Sequence, residues 1–260
     1  KLSYTIQKEQ KGTGHAVKTA WNNIKNHSQT TLILYGDTPF IKKNTVKRMF
    51  KKLEIGHDFV FLGFHSQKNN NYGKFKIGVK GSLLEIIEST EKGYNSELKL
   101  SNSGIIFAKT KSISQLLPKL NNRNKKKEYF LTDLVALAQK DNMSVTYLEC
   151  SEKECQGVNS QADLSSAEKL FQEQFRLNLM NSGVTLRAPE TCFFSFDTKI
   201  APGCIIEPNV VFGPGVKVKN NTIIKSFSHI EGVQIGKDCQ IGPFARIRPE
   251  THLENGVKIG

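Results

Sequence analysis

Two unlike folds in one chain, an α/β sheet followed by a parallel β-helix, are what the 260-residue sequence predicts. Three observations carry this reading. From Ile200 onward apolar residues recur every six positions, and before about residue 160 strand-like and helix-like runs alternate. A capped helical stretch separates the two patterns.

The repeat is the more specific signal. Ile200, Ile206, Phe212, Val218, Ile224 and Ile230 are spaced by six; after one deleted residue the phase resumes at Ile235, Ile241, Ile247, Leu253 and Ile259. Two residues before most of these stands a small or β-branched residue: Cys204, Val210, Val216, Thr222, Ser228, Val233, Cys239, Ala245, Thr251 and Val257. Short strands that each turn one apolar side chain inward, with Gly or Pro at the corners, build a parallel β-helix from such hexapeptides. A coil of this kind cannot bury its faces alone, so stacking matters and the ends need caps.

The stretch "DLSSAEKLFQEQFRLNLMNSG" predicts a helix over 165–182, with Ser165 and Glu168 as a capping box and Gly183 as a left-handed stop. Upstream, "LSYTI", "TLILY", "FVFLGF", "GIIFAK" and "SVTYLE" read as strands, and "GHAVKTAWNNI", "KNTVKRMFKKL", "SISQLLPKL" and "LTDLVALAQK" as helices. Alternation of this sort predicts a sheet flanked by helices. The expected boundaries are 1–162 for the α/β domain, 163–183 for the linker helix and 184–260 for the β-helix.

Composition narrows the function classes. No apolar run approaches the roughly 18 residues that span a bilayer, so no membrane insertion is expected. Five cysteines without a CxxC pair fit a reducing cytoplasm better than a disulfide framework or a zinc site. The net charge of +13 would suit an anionic partner, but the lysines are scattered and cluster only at Lys125–Lys127, in a solvated loop. Without aromatics interleaved among the basic residues, no nucleic-acid partner is expected.

Candidate ligand positions lie where strands end. Asp37 follows "TLILYG", and ligands of open α/β sheets gather at the carboxyl ends of strands. That position favours a metal role for its carboxylate over a turn role. Gly12-Thr13-Gly14 opens a helix, where glycines let a ligand approach the backbone and the helix terminus favours anions. It fails the dinucleotide fingerprint, because Val17 stands where the last glycine or alanine should be. Taken singly, "NNYGKF" around Gly73 and "LSNSGIIF" around Asn102 read as turns. The histidines show no metal-ligand spacing.

In order along one chain, "Q-x-x-Q-x-GTGHA", "YGDTPF", "NYGK", "EYFLTD", "GVNS" and "IGPFARIRP" resemble the bacterial bifunctional N-acetylglucosamine-1-phosphate uridylyltransferase/glucosamine-1-phosphate N-acetyltransferase (GlmU) family. The resemblance implies a Rossmann-like nucleotidyltransferase domain, a helical arm and a left-handed β-helix acetyltransferase domain that assembles as a homotrimer. It implies transfer of a uridylyl group from UTP to N-acetylglucosamine-1-phosphate, giving UDP-N-acetylglucosamine and pyrophosphate, in the cytoplasm. Magnesium is the implied cofactor, held by Asp37 and Asn159, and acetyl-CoA the co-substrate of the second activity. Gln7, Gly12 and Thr13 would contact the uracil side, and Tyr35 and Gly36 flank the metal-binding Asp37. Gly73, Glu88, Asn102 and Thr132 would line the sugar-phosphate pocket, and Arg248 matches an arginine of the acetyltransferase site.

Departures from the pattern are also expected to matter. The glycine-rich loop "LAAG-x-GTRM", with its first strand and catalytic arginine, has no counterpart in these 260 residues, nor has the acetyltransferase histidine. The resemblance therefore implies that both active sites are incomplete in this stretch, with no complete catalytic set. Phe130 replaces a tyrosine, and His229 and His252 fall on coils too early to be the base. The alternative is a non-catalytic UDP-sugar-binding or trimeric assembly module. A pure scaffold, however, has no reason to keep Asp37, Glu88, Asn102 and Asn159 together.

Overall fold

Apolar strands broken by polar turns fold residues Lys1–Val158 around one mixed sheet in the computed structural model, which describes residues 2–66 and 72–260. In chain order the strands are β1 (Thr30–Ile33), β2 (Phe59–His65), β3 (Lys74–Ile77), β4 (Leu83–Ile87), β5 (Leu100–Lys109) and β6 (Val145–Cys150). Helices α1 (Thr13–Trp21), α2 (Lys43–Glu54), α3 (Thr110–Leu116) and α4 (Leu134–Lys140) connect them.

Nine of the ten residues of β5 are buried. It runs antiparallel to β2 on one edge. On its other edge it pairs antiparallel with β3 at Ser101 and with β1 from Ile106 to Lys109. Outside β2 lies β6, parallel to it, and outside β3 lies β4. Phe59, Phe61, Ile106, Ile113, Leu116 and Leu134 fill the core on one face of the sheet. Met49, Val60, Leu62, Phe64 and Ile105 fill the other. At roughly 1.5–3 kcal/mol for each fully buried large apolar side chain, these two clusters hold the sheet and its helices together.

Most sequence-predicted elements are found, with three corrections. The run "LSYTI" is not a strand: Leu2, Tyr4 and Ile6 are 98%, 92% and 73% exposed. Alternating β-prone residues become a strand only beside a ladder partner, and among the described residues none lies alongside them. The free edge of β1 reflects the same shortage, because β1 pairs only with β5 among the described strands. Second, β3 and β4 escape the sequence reading because Lys74 and Lys76 in β3 and Glu85 in β4 interrupt their apolar pattern. Third, Asn102 lies within β5 rather than in a turn. Asn71 of "NYGK" lies outside the described residues.

The second unit, Asn159–Gly260, opens with α5 (Gln161–Asn181), four residues earlier than the sequence predicts. The cap is Ser160 instead of Ser165: its Oγ accepts from the Asp163 amide at 3.1 Å and donates to the Asp163 carboxylate at 2.8 Å. This reciprocal pairing satisfies the first-turn donors before the Ser165 box is reached. The helix stops as expected, with Gly183 left-handed at φ 91° and the amide of Val184 bonded back to Leu179.

From Thr185 to Ile259, two-residue strands stack into three parallel sheets around a solid apolar centre. Leu186, Ile206, Ile224, Ile241 and Ile259 stand in one interior column. Phe194, Phe212, Ile230 and Ile247 form the second. Ile200, Val218, Ile235 and Leu253 form the third. The deleted residue of the repeat falls at a corner where Gly232 adopts φ 57°. The coils begin at Thr185, before the strict period, because Leu186 and Phe194 fill interior positions at irregular spacing.

Helix α5 supplies the cap that such stacking requires. The ring of Phe175 stacks on Phe194 at 5.4 Å, which stacks on Phe212 at 5.1 Å. The Gln172 side chain, 3% exposed, stands in for a missing strand. Its Nε2 donates to the Phe194 carbonyl at 2.7 Å and its Oε1 accepts from the Phe194 amide at 3.0 Å. Replacing Gln172 by Leu leaves both main-chain groups without these partners, and should cost about 2 kcal/mol. Gln174→Leu, on the exposed side of the same helix, should change stability by less than about 0.5 kcal/mol. Urea denaturation of the two variants checks the difference.

Candidate functional site

The candidate site forms where the N-terminus of α1, the end of β1 and the middle of β5 converge. Gly12 is left-handed at φ 93°, and a Cβ there would lie 2.8 Å from the carbonyl of Tyr129. At Gly14 the same carbonyl would be 2.9 Å away. What approaches these glycines is therefore the chain's own backbone. The Gly14 amide donates to the Tyr129 carbonyl at 2.8 Å, and the Tyr129 amide to the Lys11 carbonyl at 2.8 Å. On this side the glycines make room for the segment that leads to Thr132. Gln7 belongs to the same crossing, its Nε2 lying 3.3 Å from the Gly12 carbonyl and 2.9 Å from Nδ1 of His15.

Thr13 and Tyr35 link this crossing to the strands. The Oγ1 of Thr13 accepts from the Leu131 amide at 3.3 Å, and its hydroxyl lies near the Tyr35 phenol. Burial pushes the Tyr35 phenol above its ordinary pKa, opposed by the neighbouring Thr13 hydroxyl. The Tyr35 ring lies flat over Gly104, where an added Cβ would fall 2.3 Å from Cε2 and the backbone adopts φ 80°. Only glycine fits this point of β5. Sequence reading missed Gly104, whose only signal was a glycine inside an otherwise apolar strand.

Beyond Tyr35, the chain leaves β1 into open space. A Cβ added at Gly36 would meet nothing within 4 Å. Asp37 is exposed, and among the described residues its carboxylate makes no hydrogen bond or ion pair. Its main-chain carbonyl accepts from the Val158 amide at 2.9 Å. A groove of about 630 Å³ runs from Trp21 and Val17 on α1 past Thr13 to Tyr35, Gly36 and Asp37.

On the other side of Gly104, four predicted pocket residues meet. The Asn102 amide donates to the Gly73 carbonyl at 2.8 Å, and its side-chain Oδ1 accepts from the Gly104 amide at 3.0 Å. A Cβ at Gly73 would lie 3.4 Å from the Glu88 carboxyl. Thr132 donates to Glu88 Oε1 at 2.8 Å. Burial raises the Glu88 pKa, and the Thr132 bond opposes it. Two further groups were missed from sequence. Lys74 is only 2% exposed and donates to Ser101 Oγ at 2.9 Å, with its pKa lowered by burial. Asp133 is pushed up to about 6 by burial and then by Glu91, Glu88 and Glu85.

Two of the predicted residues fall in the second unit, Asn159–Gly260. Asn159 is exposed and its amide donates to Asp163 at 3.1 Å. Arg248 is exposed on the solenoid, where its carbonyl accepts from Thr251 at 2.8 Å. No cluster of three His, Cys, Asp or Glu able to hold a metal occurs among the described residues. A metal at Asp37 would therefore depend on few protein ligands. No described helix is long and apolar enough to cross a membrane.

An α/β sheet with a polar strand-end pocket, followed by hexapeptide coils, defines a class of transferase. The chain belongs to the nucleotidyl transferase family, whose profile matches residues 1–153. The bacterial transferase hexapeptide family (six repeats) matches residues 197–232. Among curated relatives, the chain is 41% identical over 256 residues to the "Bifunctional protein GlmU" of Bartonella quintana (strain Toulouse), covering 98% of this chain and 57% of that protein. It is 43% identical over 251 residues to the protein of the same name from Wolbachia pipientis wMel, covering 96% and 58%. For that of Hyphomonas neptunium the identity is 41% over 248 residues, covering 95% and 54%. The resemblance read from the motifs is thus borne out, and by family the chain is an enzyme. It spans a little over half the length of these relatives.

The raised Asp133 carboxyl binds its proton more tightly in the folded chain than in the unfolded one, where its value is near 3.8. Its contribution to stability is therefore present below about pH 4 and is lost as pH rises through about 6. Asp133→Asn should flatten stability across this window and, after discounting for solvent screening, raise it at pH 7.5 by about 1 kcal/mol. Urea midpoints of both proteins at pH 4.5 and 7.5 check this.

Proposed function

We propose that the first unit binds a uridine nucleotide and N-acetylglucosamine-1-phosphate and serves the transfer of a uridylyl group that yields UDP-N-acetylglucosamine and pyrophosphate. The observation that carries this reading is Asp37: an unpaired carboxylate at a strand end, opening onto a groove, with Val158 bonded to its main chain. Val158 directly precedes Asn159 in the sequence. By the resemblance of "YGDTPF" and "GVNS", Asp37 and Asn159 are assigned as the protein ligands of magnesium, which usually takes one or two protein oxygens together with substrate phosphates. An exposed carboxylate that makes no bond among the described residues fits that demand. When bound, magnesium would neutralise phosphate charge as the sugar phosphate displaces pyrophosphate from the α-phosphorus of UTP.

The chain's own groups supply recognition. Gln7, Gly12 and Thr13 would meet the uracil, with the Thr13 hydroxyl anchored by the Leu131 amide. Gly73, Glu88, Asn102 and Thr132 would receive the sugar; Glu88 is already oriented by Thr132, so its second oxygen is available to a hydroxyl or amide. The working division of the chain is 1–162 for nucleotidyl transfer, 163–183 as linker and 184–260 as the start of an acetyltransferase solenoid using acetyl-CoA. Arg248 is its assigned substrate contact. The free state of all five cysteines suits a reducing, cytoplasmic compartment.

A second reading, assembly through the solenoid, is favoured by one feature. Phe227 and Phe244, 55% and 75% exposed, stack at 5.1 Å with their planes 4° apart. Both hold left-handed backbones, at φ 60° and 58°, a conformation that bulky residues rarely adopt. An exposed aromatic ladder on a coil corner supports association of copies into the expected homotrimer, which is compatible with the enzymatic reading.

Calorimetric titration with UDP-N-acetylglucosamine, with and without magnesium, tests the proposal. Magnesium should tighten binding at least about tenfold in the unaltered chain, equivalent to roughly 1.4 kcal/mol. Asp37→Ala should lose that enhancement while keeping its circular dichroism spectrum. Unchanged magnesium dependence in the variant would sink the metal assignment.

A further inference from the structure

Two thiols that the candidate site does not use lie almost in contact at the end of β6. Cys150 closes that strand, and Cys155 ends the 3-10 turn Glu152–Cys155 that follows. Their sulfurs are 3.2 Å apart. Cys155 is 2% exposed, whereas Cys150 is half-buried, its Sγ lying 3.6 Å from the Gly63 carbonyl. The hydrogen bond with Cys150, and then burial, raise the Cys155 pKa and keep it a thiol. Cys150 is thus the sulfur that solvent can reach.

We propose that Cys150 and Cys155 are a reversible modification site: they form a disulfide that tethers the segment carrying Val158 to the end of β6. Bonded sulfurs lie about 2.05 Å apart, so a shift of roughly an ångström suffices. The turn between the cysteines is already fixed from its other side. Buried Glu154 accepts from Thr45 Oγ1 at 2.6 Å and from the Lys42 amide at 3.3 Å, both at the start of α2. Three residues past Cys155, the Val158 amide reaches the Asp37 carbonyl. A covalent link at Cys150 would restrict the short segment between these anchors and, with it, the main chain at Asp37. The consequence for ligand binding rests on the nucleotide-sugar reading; the bond itself does not.

Hydrogen peroxide serves as the oxidant. The Cys150 thiolate attacks one peroxide oxygen, giving a sulfenic acid and a hydroxide that takes up a proton. The Cys155 sulfur then displaces the sulfenic oxygen as water and gives up its own proton. Overall, two thiols and one peroxide yield one disulfide and two waters, with two electrons passing from sulfur to oxygen. Cys192, Cys204 and Cys239 are each 0% exposed inside the solenoid and act as internal controls.

The intact chain would be treated with hydrogen peroxide, alkylated under denaturing conditions, digested and weighed. The expected result is a Cys150–Cys155 peptide that has lost two hydrogens, resists alkylation and is restored by dithiothreitol, while the three solenoid cysteines alkylate normally. Deuterium exchange of the Val158 amide should slow at least about fivefold on oxidation and recover on reduction. Full alkylation of both cysteines after peroxide would overturn the proposal, as would oxygen added to Cys150 without a link. Unchanged exchange at Val158 once the link has formed would overturn the tether. No ligand enters these measurements, so their failure is distinct from a failure of UDP-N-acetylglucosamine to bind.

Discussion

Strand β5 is the constraint on which both halves of the site depend. It pairs with β1, β2 and β3, and it is buried along nearly its whole length. Its Asn102 amide holds Gly73, and its Gly104 gives Tyr35 a flat seat. Tyr35 lies beside Thr13, and Thr13 receives the segment leading to Thr132. A side chain at Gly104 would displace the Tyr35 ring and uncouple the strand end from the sugar-side cluster. The polar residues at the surface thus stand on a framework set by packing several ångströms beneath them.

The fold was legible wherever burial imposes a period. The inward columns from Ile206 to Ile247 could be read from a six-residue spacing because each coil repeats one steric requirement. The apolar strands β2 and β5 were readable for a similar reason: both their faces are covered. What the sequence concealed depended on partners distant along the chain. "LSYTI" has the composition of a strand but no neighbour among the described residues, while β3 and β4 have neighbours but a composition broken by charged residues. Ser165 and Glu168 had the right residues for a cap, and Ser160 with Asp163 had them one turn earlier.

At the site, residue types were legible and their duties only in part. Asp37 stands free at a strand end, in keeping with the position that singled it out. Gly12 and Gly14 proved to accommodate the Tyr129 backbone, a contact across more than a hundred residues that no local pattern announces. Gly104, Lys74 and Asp133 gave little warning, because their significance comes from a ring, a buried cluster and neighbouring carboxylates that only the folded chain assembles. The solenoid shows the complementary case in Gln172. It is a polar residue that is buried because its side chain pairs both main-chain groups of Phe194.

The central claim is that a divalent cation and a uridine-diphosphate sugar meet at Asp37. Crystals grown with manganese and UDP-N-acetylglucosamine, measured for anomalous scattering from the metal, test it most directly. A peak within coordination distance of the Asp37 carboxylate, present only with the nucleotide sugar, is the predicted result. A peak away from Asp37, or none anywhere near β1, would contradict the account.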